Sequence, residues 1–201
     1  MNKTRESLHK RATCLIFAGF LCITLASCAH PDASCAHLLT FKGGTCSGTA
    51  VGSRTILTAA HCIDGDTLTS VDGHKTRALW IAEDGHDHAL IGQTVKFPAW
   101  IVKLDTPILA EAVHFVGNPA DERELYEHGY VSGLSNDNGH VAMLYELPIF
   151  FGDSGAGIMN SRGALVGVVS GIHAMSRDGI TVTFGVSYPL AFAADQWRLI
   201  Q

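Results

Sequence analysis

Three short stretches of this chain carry residues suited to nucleophilic catalysis. Leu57-Thr58-Ala59-Ala60-His61-Cys62 offers an imidazole, Asp87-His88-Ala89-Leu90 a carboxylate, and Gly152-Asp153-Ser154-Gly155 a hydroxyl between small residues. A serine hydroxyl is a weak nucleophile at its free pKa and needs a neighbouring base to take its proton. Imidazole titrates near neutrality, so His61 suits that task. A carboxylate at Asp87 would hold the imidazole in the required tautomer and stabilise its protonated form. The backbone N–H groups of Gly152 and Ser154 would form an oxyanion hole, and glycine at 152 permits the tight turn this needs. Gly155 would leave room for close chain packing.

Each stretch alone is commonplace, since a histidine after two alanines or a serine between glycines is usually structural. Their order along the chain, His, Asp, Ser, joins them. With the Cys46-Ser47-Gly48-Thr49 stretch that precedes the histidine, this pattern is similar to that of the chymotrypsin-like serine peptidases. Val116-Gly117-Asn118-Pro119, Gly129-Tyr130-Val131-Ser132-Gly133 and the run Gly163 to Ser170 resemble the trypsin-like, HtrA-type branch, here with no PDZ domain after Gln201. The resemblance spans most of residues 38–201. It implies a serine endopeptidase acting on protein or peptide substrates without a cofactor or metal, with His61, Asp87 and Ser154 as the catalytic set. It also implies a Cys46–Cys62 disulfide beside the histidine, closing a loop of about 15 residues, a staple of roughly 3 kcal/mol in the chain-entropy view. Asp87 is preferred to nearby Asp84 because Asp-x-Ala-Leu leads straight into an apolar strand, as in the family.

The same resemblance places the substrate pocket at Pro148, with walls from Ser170, Gly171, Ile172 and Gly185. No aspartate stands at Pro148, which disfavours basic side chains, because nothing there would offset burying a cation. Ile172 would make the pocket shallow and suited to small or medium apolar residues. Gly171-Ile172-His173 resembles the Gly-Ile-His of glutamyl endopeptidases, an alternative preference for acidic residues. Ser154-Gly155-Ala156-Gly157 departs from the usual Ser-Gly-Gly-Pro while keeping small residues. No Ile-Val-Gly-Gly-like start precedes the domain, so Asp153 is expected to find a partner other than a freed N-terminus. His86 and His88 flank Asp87; strand alternation would put both on the opposite face, and solvated loop histidines are expected rather than a metal site.

The elements that must position these residues read as all-β: two packed antiparallel β-barrels of chymotrypsin type with a C-terminal helix. Short β-branched runs alternate with Gly, Asp and Asn turns. Strands are expected at 48–52, 54–59, 78–82, 89–94, 113–117, 130–133, 141–147, 156–159, 164–170 and 181–186, and a helix at 190–200 from the spacing of Leu190, Phe192, Ala193, Trp197 and Ile200. Thr106-Pro107 marks a lobe boundary near 105–111, within a peptidase domain spanning 41–201.

The N-terminus reads as an address. Lys3, Arg5, Lys10 and Arg11 precede an apolar run, Cys14 to Ile23, too short for a stable transmembrane helix and built like a secretory signal. Leu25-Ala26-Ser27-Cys28 resembles the bacterial lipobox, implying a signal peptide over 1–27, acylation of Cys28 (diacylglyceryl, then palmitate), and a tether over 28–40. By analogy Ala29 favours the outer membrane in a Gram-negative host, with the domain periplasmic or at the cell surface. Each buried acyl CH₂ is worth about 0.8 kcal/mol. Cys35 would then be a free thiol; without lipidation, a Cys28–Cys35 bridge becomes possible.

Composition excludes other classes. With 16% charged and 47% apolar residues the 201-residue chain is not globally disordered. Removing residues 1–27 takes away four of 14 basic and one of 19 acidic residues, moving the net charge from −5 to −8. An acidic domain argues against nucleic acid, whose phosphates need a basic face. A peptidase-fold binding module or adhesin without turnover is the competing reading.

Overall fold

The computed structural model describes residues 33–137 and 139–200. The expected signal peptide and Cys28 lie outside them. The chain forms fourteen strands: β1 (Ala36–Phe41), β2 (Thr45–Gly52), β3 (Thr55–Ala59), β4 (Leu68–Val71), β5 (His74–Lys75), β6 (Trp80–Glu83), β7 (His88–Gly92), β8 (Ala112–Gly117), β9 (Leu125–Asp137), β10 (His140–Glu146), β11 (Gly157–Asn160), β12 (Leu165–Val168), β13 (Gly171–Arg177) and β14 (Ile180–Ser187). They make two seven-stranded antiparallel sheets, ordered β5-β4-β1-β2-β3-β7-β6 and β12-β11-β8-β9-β10-β14-β13, the two barrels of a chymotrypsin-like fold. Residues 93–111 connect the sheets and include the expected lobe boundary.

Alternation along the strands divides the apolar side chains among three large cores and a small cluster of Ala142, Leu144 and Val186. Ala50, Ile56 and Ile91 face the first barrel's interior with Leu39 and Phe41. Phe115, Val131, Tyr145 and Ile158 fill the second. The neighbouring positions Val51, Leu57 and Leu90 point the other way, onto Met159, Leu165, Val168 and Phe192. This third cluster is the joint between the lobes. Strands β3 and β7 are therefore buried on both faces, which suits the strands that present the His61 and Asp87 stretches.

Several expectations need correction. Residues 36–40, read as the end of a tether, form most of β1, a buried strand paired with both β2 and β4. Its Ala-His-Leu-Leu-Thr-Phe sequence shows little alternation because both of its faces are covered. The C-terminal helix is only one turn and a half, Ala194–Arg198. Leu190 and Phe192 pack against the interlobe joint from extended chain before it. β13 was not anticipated. It forms because Asp178 (φ 52°) and Gly179 (φ 79°) adopt the paired left-handed conformations of a tight hairpin between Arg177 and Ile180.

Candidate active site

His61 lies in a 3₁₀ turn, Ala60–Ile63, directly after β3. Two bonds anchor that turn. The Cys46–Cys62 disulfide ties it to β2, and the Ala60 N–H donates to the Asp87 carbonyl at 3.0 Å. Cys35 is buried and forms no disulfide with another described residue. Asp87 belongs to the turn between β6 and β7. Its carboxylate accepts the His61 backbone N–H at 3.0 Å and faces His61 Nδ1 with its two oxygens at 2.9 and 3.0 Å. The Asp87 bond is the leading cause that raises the His61 pKa above 6.5, with desolvation opposing it. The second ring nitrogen, Nε2, is left to face the cleft, and nearly half of the side chain is exposed.

Asp87 adopts φ 67°, which ends the strand before β7 begins. The histidines beside it therefore do not share one solvated face. His88 is wholly buried, contrary to expectation, with Nδ1 2.8 Å from Asp84 Oδ2. Asp84 was passed over as a catalytic acid, yet it organises the turn. Its Oδ1 accepts the N–H groups of His86 (2.8 Å) and His88 (3.2 Å), and its Oδ2 also accepts that of Ala191 (2.9 Å). Burial pushes the Asp84 carboxyl up, but the bonds from His88, Ala191 and His86 outweigh it and the net shift is downward. The Asp84-Gly85 pair is an Asx-turn signature that the sequence does display.

Ser154 is held against the same corner by its backbone. Its carbonyl accepts the Ser47 N–H at 2.9 Å, and Cys62 Sγ lies 3.8 Å from it. Gly155, at φ 90°, makes this approach possible, because a Cβ there would stand 2.2 Å from both the Ser47 carbonyl and Thr58 Oγ1. Among the described residues no hydrogen bond joins Ser154 Oγ to the imidazole. Catalytic bonds of this kind commonly tighten only once substrate is bound.

The turn before Ser154 is aimed by its carbonyls. Phe151 C=O accepts the Ala120 N–H at 2.8 Å, and Gly152 C=O accepts Ser47 Oγ at 2.8 Å. In a trans peptide the C=O and N–H point oppositely, so pinning the Phe151 carbonyl toward Ala120 directs the Gly152 N–H away from it. Neither this N–H nor that of Ser154 donates to another described residue. Gly152 sits at φ 103°, and a Cβ would meet the Asn118 carbonyl at 2.6 Å. Ser47 Oγ also accepts the Asn118 N–H at 2.9 Å. Ser47 and Asn118 thus brace the turn, roles that no spacing rule singles out.

Asp153 is 2% exposed. Its Oδ2 accepts the Phe150 N–H at 2.8 Å, while Oδ1 has no partner. Burial, with Glu127 adding repulsion, raises this carboxyl to about 6. The expected partner is therefore a backbone N–H rather than a cation.

The expected pocket residues fall into two recesses. Pro148, Ile172 and Gly185 line a cavity of about 490 Å³, together with Phe150, Glu127 and Asp153. Ser170, Gly171 and Ile172 line a second recess with His61, Asp87 and His173. Ile149 Cδ1 lies 2.2 Å from where a Cβ on Gly185 would stand, so a side chain at 185 would displace the wall. Glu127, on β9, went unnoticed in the sequence because it lies 27 residues before Ser154 and only the folding of β9 brings it here.

The trypsin-like peptidase domain family matches residues 46–168, and the chain belongs to it. It is a serine endopeptidase by family. Solved structures agree on the fold. A mutant of Rv3671c from Mycobacterium tuberculosis H37Rv in an inactive form shares 14% identity, with TM-score 0.64, over 84% of this chain and 87% of that one. The MamO protease domain from Magnetospirillum magneticum shares 18% identity, TM-score 0.59, over 79% and 94%. A serine endoprotease from Yersinia pestis shares 19% identity, TM-score 0.63, over 85% and 64%. No curated protein sequence matches the chain. Among the described residues no helix is long and apolar enough to cross a membrane.

Proposed function

We propose that this peptidase cleaves exported proteins through Ser154, His61 and Asp87, and is tethered to a bacterial membrane by a lipidated Cys28. The observation that carries the catalytic reading is the two-oxygen grip of Asp87 on His61 Nδ1, which leaves Nε2 as the proton acceptor. Ser154 Oγ attacks the scissile carbonyl carbon and its proton passes to Nε2. The oxyanion is held by the N–H groups of Gly152 and Ser154. Collapse expels the amine, which takes the proton from His61 and leaves an acyl-enzyme. Water then repeats the sequence, with His61 as base, and frees Ser154. Losing one such oxyanion donor typically costs about 10²–10³ in rate.

Labelling with a fluorophosphonate probe tests the nucleophile. The native chain is expected to label and Ser154→Ala is not; equal labelling of both would reject the assignment. Casein cleavage abolished by His61→Ala supports turnover, whereas binding without cleavage would make the chain a peptidase-fold binding module. The tether rests on the Leu25-Ala26-Ser27-Cys28 stretch. Cys28→Ser is expected to move the protein out of the membrane fraction or leave its signal uncut, and an unchanged distribution would count against lipidation.

A further inference from the structure

The first described residues, Ala33–Cys35, lead into β1, whose Ala36 stands opposite Thr49 of β2. One residue further along β2, the Ala50 carbonyl accepts the Ile101 N–H at 2.9 Å. The connection between the barrels thus takes up the edge of β2 where β1 begins, and the chain enters the fold beside it. From there the connection runs to β12, where the Leu165 N–H donates to the Lys103 carbonyl at 2.9 Å and the Asp105 N–H to that of Leu165 at 3.0 Å. Extended chain alternates its side chains. Ile101 packs inward on the cores, while Trp100, Val102 and Leu104 turn outward, 42%, 78% and 45% exposed. Ile108 and Leu109 follow at 57% and 67%. An apolar groove of about 690 Å³ adjoins this ridge, lined by Leu104, Pro107, Leu109, Leu134, Met143 and Leu190. Single apolar residues are ordinary on a surface, but a contiguous run of this kind marks a place of contact. Arg162 holds Asp105 at 2.7 Å and Glu111 at 3.1 Å, which neutralises the acids of the connection. Lys103 within the ridge, and Lys96 and Arg54 at its start, are exposed and have no acidic partner among the described residues.

We propose that this ridge, Trp100 to Leu109, lies against an anionic lipid bilayer, the one that carries the acylated Cys28. The inference rests on the tether proposed above and adds which face of the domain the membrane covers. The length of chain selects this occupant. Only residues 29–32 separate Cys28 from Ala33, and the five steps between them span at most about 18 Å. A domain of this size is roughly 40 Å across, so so short a link keeps the side of entry against the lipid. The ridge is the apolar surface beside that entry. Its apolar side chains enter the boundary between headgroups and acyl chains, and Lys103, Lys96 and Arg54 meet the anionic headgroups. The basic rim stands on a domain whose net charge without residues 1–27 is −8, so the attraction is local to this face. The Phe97 N–H donates to the Ser53 carbonyl in the turn before β3, whereas His61 follows the other end of that strand. A bilayer on the ridge therefore leaves the imidazole uncovered, and the cleft serves proteins of the surrounding compartment.

The test uses the full chain as cells process it, floated on vesicles of phosphatidylcholine and phosphatidylglycerol. One exposed residue is changed to cysteine, and a membrane-impermeant maleimide is the probe. Cys35 is buried, and the native chain gives the background. Val102→Cys on the ridge is expected to react about fivefold more slowly than Ile180→Cys at the tip of the β13–β14 hairpin, a position 70% exposed. Adding Leu109→Glu to Val102→Cys is expected to restore fast labelling while the chain still floats. Equal rates at 102 and 180 in a chain that floats would overturn this proposal alone. A chain that does not float would overturn the tether and this proposal with it. Protection at 102 that survives dissolving the vesicles in detergent, in a chain that sediments as a dimer, would overturn the lipid partner and assign the ridge to a second copy.

Discussion

The Asp87 carboxylate faces His61 with both oxygens, so Asp87→Asn is expected to lower kcat by roughly 10³–10⁴-fold, because an amide presents a donor where an acceptor is needed. The acid limb of kcat/KM, set by His61 at a pKa above 6.5, is expected to move to lower pH in the same variant. Asp84 acts one step back, as a positioning residue. Asp84→Asn keeps one acceptor oxygen, enough for the His86 and His88 N–H groups, but puts an amide donor where Ala191 and His88 Nδ1 bond, so kcat is expected to fall about tenfold with KM little changed. A rise in KM with kcat intact would contradict that role. The three stretches of the candidate site stood out by residue type and by their order along the chain. Ser47 and Asn118 did not stand out, because they meet across 71 positions of sequence and no local pattern encodes that; Asp84-Gly85 displays a turn signature, but the bond from Ala191, 107 positions away, does not show in it.

At the level of elements, the turn from Phe150 to Asp153 and the His61 turn both contribute stability that fades as pH rises. Asp153 has its carboxyl raised from 3.8 to about 6 in the folded protein. A raised acid contributes stability that is complete below its unfolded pKa and is lost as pH rises through the folded one. The His61 shift, also upward, has the same sign: its contribution is present below 6.5 and fades above it. Thermal stability is therefore expected to decline from about pH 4 to 6 through Asp153 and further above 6.5 through His61, where activity climbs as His61 loses its proton. Asp153→Asn should flatten the decline in Tm, and an unaltered slope would disprove the link. Most strands bounded by Gly, Asp and Asn turns were readable, the short β4 and β5 excepted. β1 and β13 were not: β1 is covered on both faces, and β13 is exposed on both, so neither shows the half-buried alternation that marks a strand in sequence.

For the whole molecule, the proposed catalytic set straddles a joint, since His61 and Asp87 come from the first barrel and Ser154 follows the second barrel's β10. Leu57 and Leu90 fill that joint from the first side against Leu165 and Val168. Leu57→Ala is expected to cost about 2–5 kcal/mol in denaturant unfolding. The rhythm of short strands pointed to an all-β barrel or sandwich and the family resemblance to two barrels, but the joint did not show, because the same β3 and β7 serve two cores.

The end of the chain closes this frame. Ala191 donates to the carboxylate of Asp84, and Gln196 Nε2 donates to the Glu83 carbonyl at 2.9 Å. During synthesis these two latches emerge after every residue of the candidate site. A nascent or clipped polypeptide lacking them holds the nucleophile and its base yet leaves the aspartate's loop unfastened. Removing Ala191 to Gln196 is therefore expected to lower kcat through the Asp84 turn alone, leaving the Ser154 turn as it is.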